Sequence, residues 1–232
     1  MVTSLTRGSQ ARSHHVQYNT TACTALDGRL HCRPASFPNE SMTEVNAAAR
    51  GFVLTGGGSS RMGRDKARLP FRGRTLIEWV AGQVREAAGS VTLVGAPERY
   101  ADLGLEAIAE AHAGLGPLSG IEAALGHSEA DLNLIVACDM PHLNVADLRG
   151  LIASAAAWDA DVCATAGGPD GAEPLCAVYH RRCLADVQQA LGEGRLKVFE
   201  LYAGWKVRLW EPADPNLATN INDLEDWRRL AG

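Results

Sequence analysis

Positive charge is in short supply. The chain has 22 Lys and Arg against 27 Asp and Glu, a formal net charge of −5. A polyanion partner such as nucleic acid needs a basic field, so general nucleic-acid binding is excluded. Long apolar runs are missing as well: nothing approaches the roughly 20 residues of a membrane-spanning helix. The six cysteines form no C-x-x-C pair, which excludes a zinc ribbon and a thioredoxin-type site. Cys138, Cys163 and Cys176 lie in apolar, strand-like runs and read as small core residues of a reduced cytoplasmic protein. No histidine sits in a Ser or Cys nucleophile context, so covalent catalysis has no support. The tryptophans Trp205, Trp210 and Trp227 read as core or interface anchors.

Two familiar phosphate motifs are absent too. After Gly63 stand Arg64 and Asp65, where a Walker A loop requires Lys and then Ser or Thr. Arg61 stands where a dinucleotide fingerprint requires glycine. What the chain has is a run of glycines and serines, Leu54-Thr55-Gly56-Gly57-Gly58-Ser59-Ser60-Arg61-Met62-Gly63-Arg64-Asp65-Lys66, directly after the apolar run Phe52-Val53-Leu54. Glycines leaving a strand let backbone N–H groups converge on one point, which cradles phosphate. Arg61 adds a planar fork there and Lys66 a mobile charge.

From Gly51 onward strands alternate with helices. Thr75 and Glu78 form a capping-box pair ahead of a helix whose apolar face carries Leu76, Ile77, Val80, Val84 and Ala87. Strands follow at residues 91–94 and 105–108. A loop, 112–118, leads to a helix capped by Ser119 and Glu122, and the strand 132–137 ends in Cys138-Asp139-Met140-Pro141. Asn144 and Asp147 open another helix. Strands are expected at 161–165, 175–179 and 207–210, helices over 183–191 and from about 196, and a last helix capped by Asn222 and Glu225. This order predicts an α/β fold with a single doubly wound, mostly parallel sheet and helices on both faces. Ligands in such sheets sit at the carboxyl ends of strands, so Gly56 and Asp139, each just past a strand end, are expected to share one crevice. An acidic side chain beside a phosphate loop repels its ligand unless a cation intervenes, and Mg²⁺ suits a site with few carboxylates.

Residues 1–41 differ. They are rich in Ser, Thr, Arg and His without apolar periodicity, and read as a disordered leader, with Met42 as the natural start. No apolar h-region marks a secretory signal, and scarce acidic residues leave a transit peptide as a second reading.

The glycine loop with Ser60-Arg61-Met62-Gly63 and Asp65-Lys66 resembles the signature of the nucleotidyltransferases, most closely the molybdenum cofactor guanylyltransferases. Cys138-Asp139-Met140-Pro141 resembles that family's metal-binding aspartate motif, and Gly114-Leu115-Gly116-Pro117-Leu118 its second nucleotide loop. The resemblance spans about residues 51–230. It implies a Rossmann-like nucleotide-diphospho-sugar transferase fold over 42–232, with a nucleotide-binding part over about 50–158 and an acceptor-binding part over about 159–232. The implied reaction moves GMP from GTP to Mo-molybdopterin, releasing pyrophosphate. Arg61, Lys66 and Asp139 would be catalytic, and Asp139 would hold Mg²⁺. Leu54, Thr55, Gly56, Gly57, Gly58, Lys66, Glu110, Gly116, Pro117 and Asp139 would bind the nucleotide. Glu173, Arg195, Asn220 and Asn222 would face the acceptor. Molybdoenzymes or their chaperones are the implied protein partners. The chain departs from the family at Glu110, where relatives carry aspartate, and at Val94, where some carry asparagine. Thr55-Gly56-Gly57 and Asp139-Met140-Pro141 are closer to the guanylyl than to the cytidylyl pattern. A molybdopterin cytidylyltransferase, a sugar-phosphate nucleotidyltransferase and a non-catalytic nucleotide-binding regulator are the other readings.

Overall fold

The computed structural model describes residues 23–26, 29–32, 49–56, 65–167, 171–221 and 223–231. The expectations for Gly57, Gly58, Arg61, Asn222 and a start at Met42 fall on residues outside this set. Within the leader, β1 (Cys23–Leu26) and β2 (Arg29–Cys32) pair antiparallel.

The core is a seven-stranded sheet, made of β3 (Ala49–Leu54), β6 (Thr92–Gly95), β7 (Glu106–Ala109), β8 (Leu132–Ala137), β9 (Val162–Ala166), β10 (Ala172–His180) and β11 (Val207–Trp210). Their spatial order is β11-β9-β10-β8-β3-β6-β7. All neighbours run parallel except β10, which is antiparallel to both β8 and β9. Side chains alternate across the sheet as a two-residue period demands. Val53, Leu134, Val136, Cys176 and Val178 point into one apolar layer. Phe52, Leu54, Ile135, Ala177 and Tyr179 point into the other. Helices α1 (Leu76–Ala88) and α3 (Val145–Trp158) cover the first layer, and α2 (Pro117–His127), α4 (Leu184–Gly192) and α5 (Val198–Tyr202) the second. This is the doubly wound arrangement read from the sequence. Among the described residues no helix is long and apolar enough to cross a membrane.

The local rules mostly hold. The Thr75–Glu78 capping box is formed in both directions, and Asn144 caps α3 by accepting from the Asp147 N–H. Two expectations change. Ser119 does not cap α2. That helix starts two residues earlier, at Pro117 behind Gly116, whose φ of +87° favours glycine, and Pro117 brings a φ already set for a first helical position. The Ser119 hydroxyl instead donates to the His112 carbonyl at 2.8 Å and closes the preceding loop. At the last helix, α6 (Leu224–Ala231), the described cap is Asp223, whose carboxylate accepts from the amides of Glu225 and Asp226.

Two further elements have weak sequence signals. β4 (Pro70–Phe71) and β5 (Arg74–Thr75) form a two-stranded hairpin around Arg72 and Gly73, both at positive φ, the geometry of a two-residue primed turn. In β10 the register with β9 slips between Glu173 and Ala177, so Pro174 and Leu175 bulge from the ladder. Pro174 has no N–H to lose there, and the buried Tyr179 hydroxyl donates to its carbonyl at 2.8 Å.

Candidate active site

The strand ends converge on a crevice of about 570 Å³. It is lined by Leu54, Thr55 and Gly56 after β3, by Gly95 and Ala96 after β6, by Glu110 after β7, and by Cys138 and Asp139 after β8. Gly116 and Pro117, at the start of α2, close one side; Asp65, Lys66, Arg99, Leu175 and Asn220 also line it. The positive end of the α2 dipole therefore points at a cavity suited to negative charge. Of the residues singled out in sequence, Leu54, Thr55, Gly56, Lys66, Glu110, Gly116, Pro117, Asp139 and Asn220 all meet here. Arg195 does not line the crevice. It follows α4 and its guanidinium is bonded to Glu193 at 2.8 Å. Glu173 stands just behind the lining, its carboxylate accepting from the Leu175 N–H at 3.0 Å.

The floor is rigid for stated reasons. Thr55 donates both its N–H, at 2.8 Å, and its hydroxyl, at 2.9 Å, to the Val94 carbonyl, which locks the exit of β3 to β6. At Gly56 a Cβ would lie 2.6 Å from the Glu110 carboxylate, so a side chain there would have to push that carboxylate aside. Burial raises the Glu110 carboxyl above the usual range, with the Ser119 hydroxyl pulling the other way.

Lys66 and the backbone of Asp139 come together at one residue, Ile221. The Lys66 ammonium donates to the Ile221 carbonyl at 3.1 Å, and the Ile221 N–H donates to the Asp139 carbonyl at 2.9 Å. Leu217 and Ile221 are fully buried and pin this stretch to the core, while Asp147 holds it upstream by accepting from the Ala213 N–H at 3.1 Å. The segment 211–221 thus straps the crevice from outside the sheet. Sequence reasoning missed it as a unit, although two apolar residues in a run of Pro, Asp and Asn were the available signal.

Burial raises the Asp139 carboxyl, opposed by the nearby Lys66 charge. The Glu173 carboxyl is raised by burial as well, with the charge of Asp139 adding to it. Burial pushes the Cys138 thiol up to about 12, so it stays protonated and is no nucleophile at neutral pH. Asp65 was also overlooked as an anchor. Its carboxylate accepts from the Ala67 N–H at 3.1 Å, from the Arg99 guanidinium at 2.8 Å and from the Tyr100 hydroxyl at 3.0 Å. That ties the residue before Lys66 to the turn after β6, and places Arg99 on the crevice wall.

The donor set suits a hard cation. Asp139 offers a carboxylate, and the Asn220 side-chain oxygen is buried with no hydrogen-bond partner among the described residues. Such an orphan oxygen is costly unless something binds it. Among the described residues no three His, Cys, Asp or Glu form a metal cage. Mg²⁺ needs none, because it takes most ligands from phosphate and water.

Comparison with known proteins agrees with this geometry. The sequence profile of the MobA-like NTP transferase domain matches residues 51–204. A probable molybdenum cofactor guanylyltransferase of Pelotomaculum thermopropionicum is 35% identical over 155 residues, covering 66% of this chain and 74% of the relative. A molybdenum cofactor guanylyltransferase of a Shewanella species is 31% identical over 185 residues, covering 77% and 93%. Among solved structures, the molybdopterin-guanine dinucleotide biosynthesis protein A of Archaeoglobus fulgidus superposes with a TM-score of 0.67 at 25% identity, covering 78% of this chain and 96% of that one. A nucleotidyl transferase from Methanothermobacter, at a TM-score of 0.66 and 21% identity over 79% and 95% of the two chains, shares the fold. With a glycine-bearing strand end, a lysine and an aspartate around one crevice, and a profile that spans most of the sheet, the chain belongs to the MobA-like NTP transferase domain family of nucleotidyltransferases.

Proposed function

We propose that this protein transfers GMP from GTP to the terminal phosphate of Mo-molybdopterin, forming the guanine dinucleotide cofactor and pyrophosphate. The observation that carries the reading is Ile221, whose carbonyl accepts from the Lys66 ammonium and whose N–H holds the Asp139 carbonyl, so that both residues stand at one crevice. The names of the relatives supply the substrates.

The chemistry is an in-line displacement. An acceptor phosphate oxygen attacks the α-phosphorus of GTP, a new P–O bond forms, and the bond to the bridging oxygen of pyrophosphate breaks. Such a reaction needs positioning and charge neutralisation more than a covalent intermediate, in keeping with the protonated Cys138 thiol. The Gly56 backbone and the start of α2 hold the nucleotide, and Glu110 contacts it across Gly56. Lys66 keeps one donor on Ile221 and turns the others to the phosphates. Arg61 would add a second cationic donor. Asp139 and Asn220 would hold Mg²⁺, which supplies charge neutralisation at phosphate oxygens when bound. Asn220, Asn222 and the Glu173–Leu175 bulge would face the acceptor, with Arg195 at its outer margin. Cofactor synthesis of this kind, fed by GTP, would run in the cytoplasm.

Pyrophosphate release, measured with GTP, Mg²⁺ and Mo-molybdopterin, tests this. Release is expected to need all three and to stop on chelation. Turnover with a sugar phosphate in place of Mo-molybdopterin, and none with the latter, would overturn the acceptor assignment.

A further inference from the structure

The short turn that carries Asp139 is held at three backbone points. The Cys138 N–H donates to the Leu54 carbonyl at 3.1 Å, which continues the β3–β8 ladder past its end. The Ile221 N–H takes the Asp139 carbonyl. The third is a side chain: the Trp79 indole N–H donates to the Pro141 carbonyl at 3.1 Å. Trp79 lies near the start of α1 and is not among the residues lining the crevice. It reaches the turn from behind.

The indole is itself fixed. The Phe71 ring meets it edge-on at 5.7 Å and 73°, and the Arg72 guanidinium lies 4.6 Å from its centre. Both neighbours come from the β4–β5 hairpin, and Arg72 gets there because it occupies the turn at a φ of 47°. Phe71 is backed in turn by Trp227 of α6 at 6.1 Å. A guanidinium over an indole face is a favourable contact, strongest where water is excluded. The hairpin that follows Lys66 therefore aims one indole N–H at the turn that follows β8. Asp139 is half-buried at the crevice wall, so a loose turn would let its carboxylate drift toward solvent and away from the cavity.

We propose that Trp79 is a positioning residue that sets the Asp139 turn for its cation. The inference rests on the assignment of Asp139 as a cation ligand. Partners one step behind a metal ligand typically change metal affinity by about 10- to 100-fold when removed. Trp79 acts on Asp139 through Pro141, so the lower end of that range is expected.

The test uses Mn²⁺ as the probe, titrated into the protein–GTP complex and followed by electron paramagnetic resonance. Trp79→Phe keeps the ring and deletes the donor. It should raise the Mn²⁺ Kd about tenfold, with Tm lowered by no more than about 2–4 °C. Amide hydrogen exchange at residues 138–140 should quicken in step. Phe71→Leu loosens the packing that aims the indole but leaves its donor in place, and should lower Tm with a smaller rise in Kd than Trp79→Phe gives. An equal rise in Kd from Phe71→Leu would reduce the effect to general loosening and overturn the proposal. Asp139→Asn separates the two layers of the argument. If it raises the Kd and Trp79→Phe does not, Trp79 loses its role and Asp139 keeps its own. If neither changes the Kd, both assignments fail. In the unsubstituted protein the Trp79 indole proton should exchange slowly with solvent, and exchange as fast as that of the exposed Trp158 would contradict the bond independently of any variant.

Discussion

The two walls of the crevice are built by different means. The nucleotide wall is made of strand ends: β3, β6, β7 and β8 deliver Thr55, Gly95, Glu110 and Asp139 within a residue or two of their last ladder bonds. Each is placed by the parallel sheet itself. The opposite wall has no such frame. Leu175 arrives on a bulge in the antiparallel β10, and Asn220 on a strap that belongs to no sheet and is tied down by Leu217, Ile221 and Asp147. The strap lies beyond the matched domain, which ends at residue 204, yet it supplies the carbonyl that holds Lys66. A regular scaffold suffices to present a nucleotide. On the proposed reading, the second substrate would be met by irregular chain, whose position depends on long-range contacts.

Breaking the link between the walls should have the largest effect. Lys66→Ala removes the charge that spans them and should lower kcat by about 10²-fold or more, as expected for a lost donor to transition-state charge; circular dichroism should show the fold intact. Leu217→Ala should come next. It empties a fully buried site at a cost of about 2–5 kcal/mol, read by denaturant titration. Because the strap carries Asn220, the KM for the acceptor should rise more than the KM for GTP. Equal changes in both would erase the distinction between the walls. Glu110→Gln probes the nucleotide wall through pH. The Glu110 carboxyl is raised in the folded state, so its ionisation costs stability as pH rises above the ordinary carboxylate range. The variant should gain Tm over the parent as pH rises above the ordinary carboxylate range of about 4, while its KM for GTP rises. No gain in Tm would show that burial of this group costs nothing. The smallest effect belongs to Arg195→Ala, which should change the acceptor KM by about twofold or less, as for an exposed side chain. A larger change would extend the acceptor wall out to the end of α4.

The same contrast governs what could be read from sequence. The Thr75–Glu78 box, the Asn144 cap and the largely apolar strand at 132–137 were legible because each depends on neighbours in the chain. Gly56 and Asp139 could be placed together because parallel sheets put their sites at one edge. Ser119 misled, since its hydroxyl is spent on the loop before α2 and Gly116 with Pro117 sets the helix start. The strap, the Asp65–Arg99–Tyr100 anchor and the Trp79–Pro141 bond were not legible, because each joins residues far apart whose pairing follows no local period. Glu110 shows the limit from the other side. Its family position was apparent, but that its carboxylate fills the space a Gly56 side chain would need is a fact of packing.

Guanylyl transfer to a molybdopterin acceptor turns on which base the crevice accepts. Guanine presents donors at N1 and N2 and an acceptor at O6, and a site matched to that set leaves buried polar groups unpaired with cytosine or adenine. The direct measurement is a competition: equal GTP, CTP and ATP with Mo-molybdopterin and Mg²⁺, with the products identified by mass. Molybdopterin guanine dinucleotide should dominate. A cytosine dinucleotide as the main product would contradict the guanylyl assignment and leave the fold and the displacement chemistry standing.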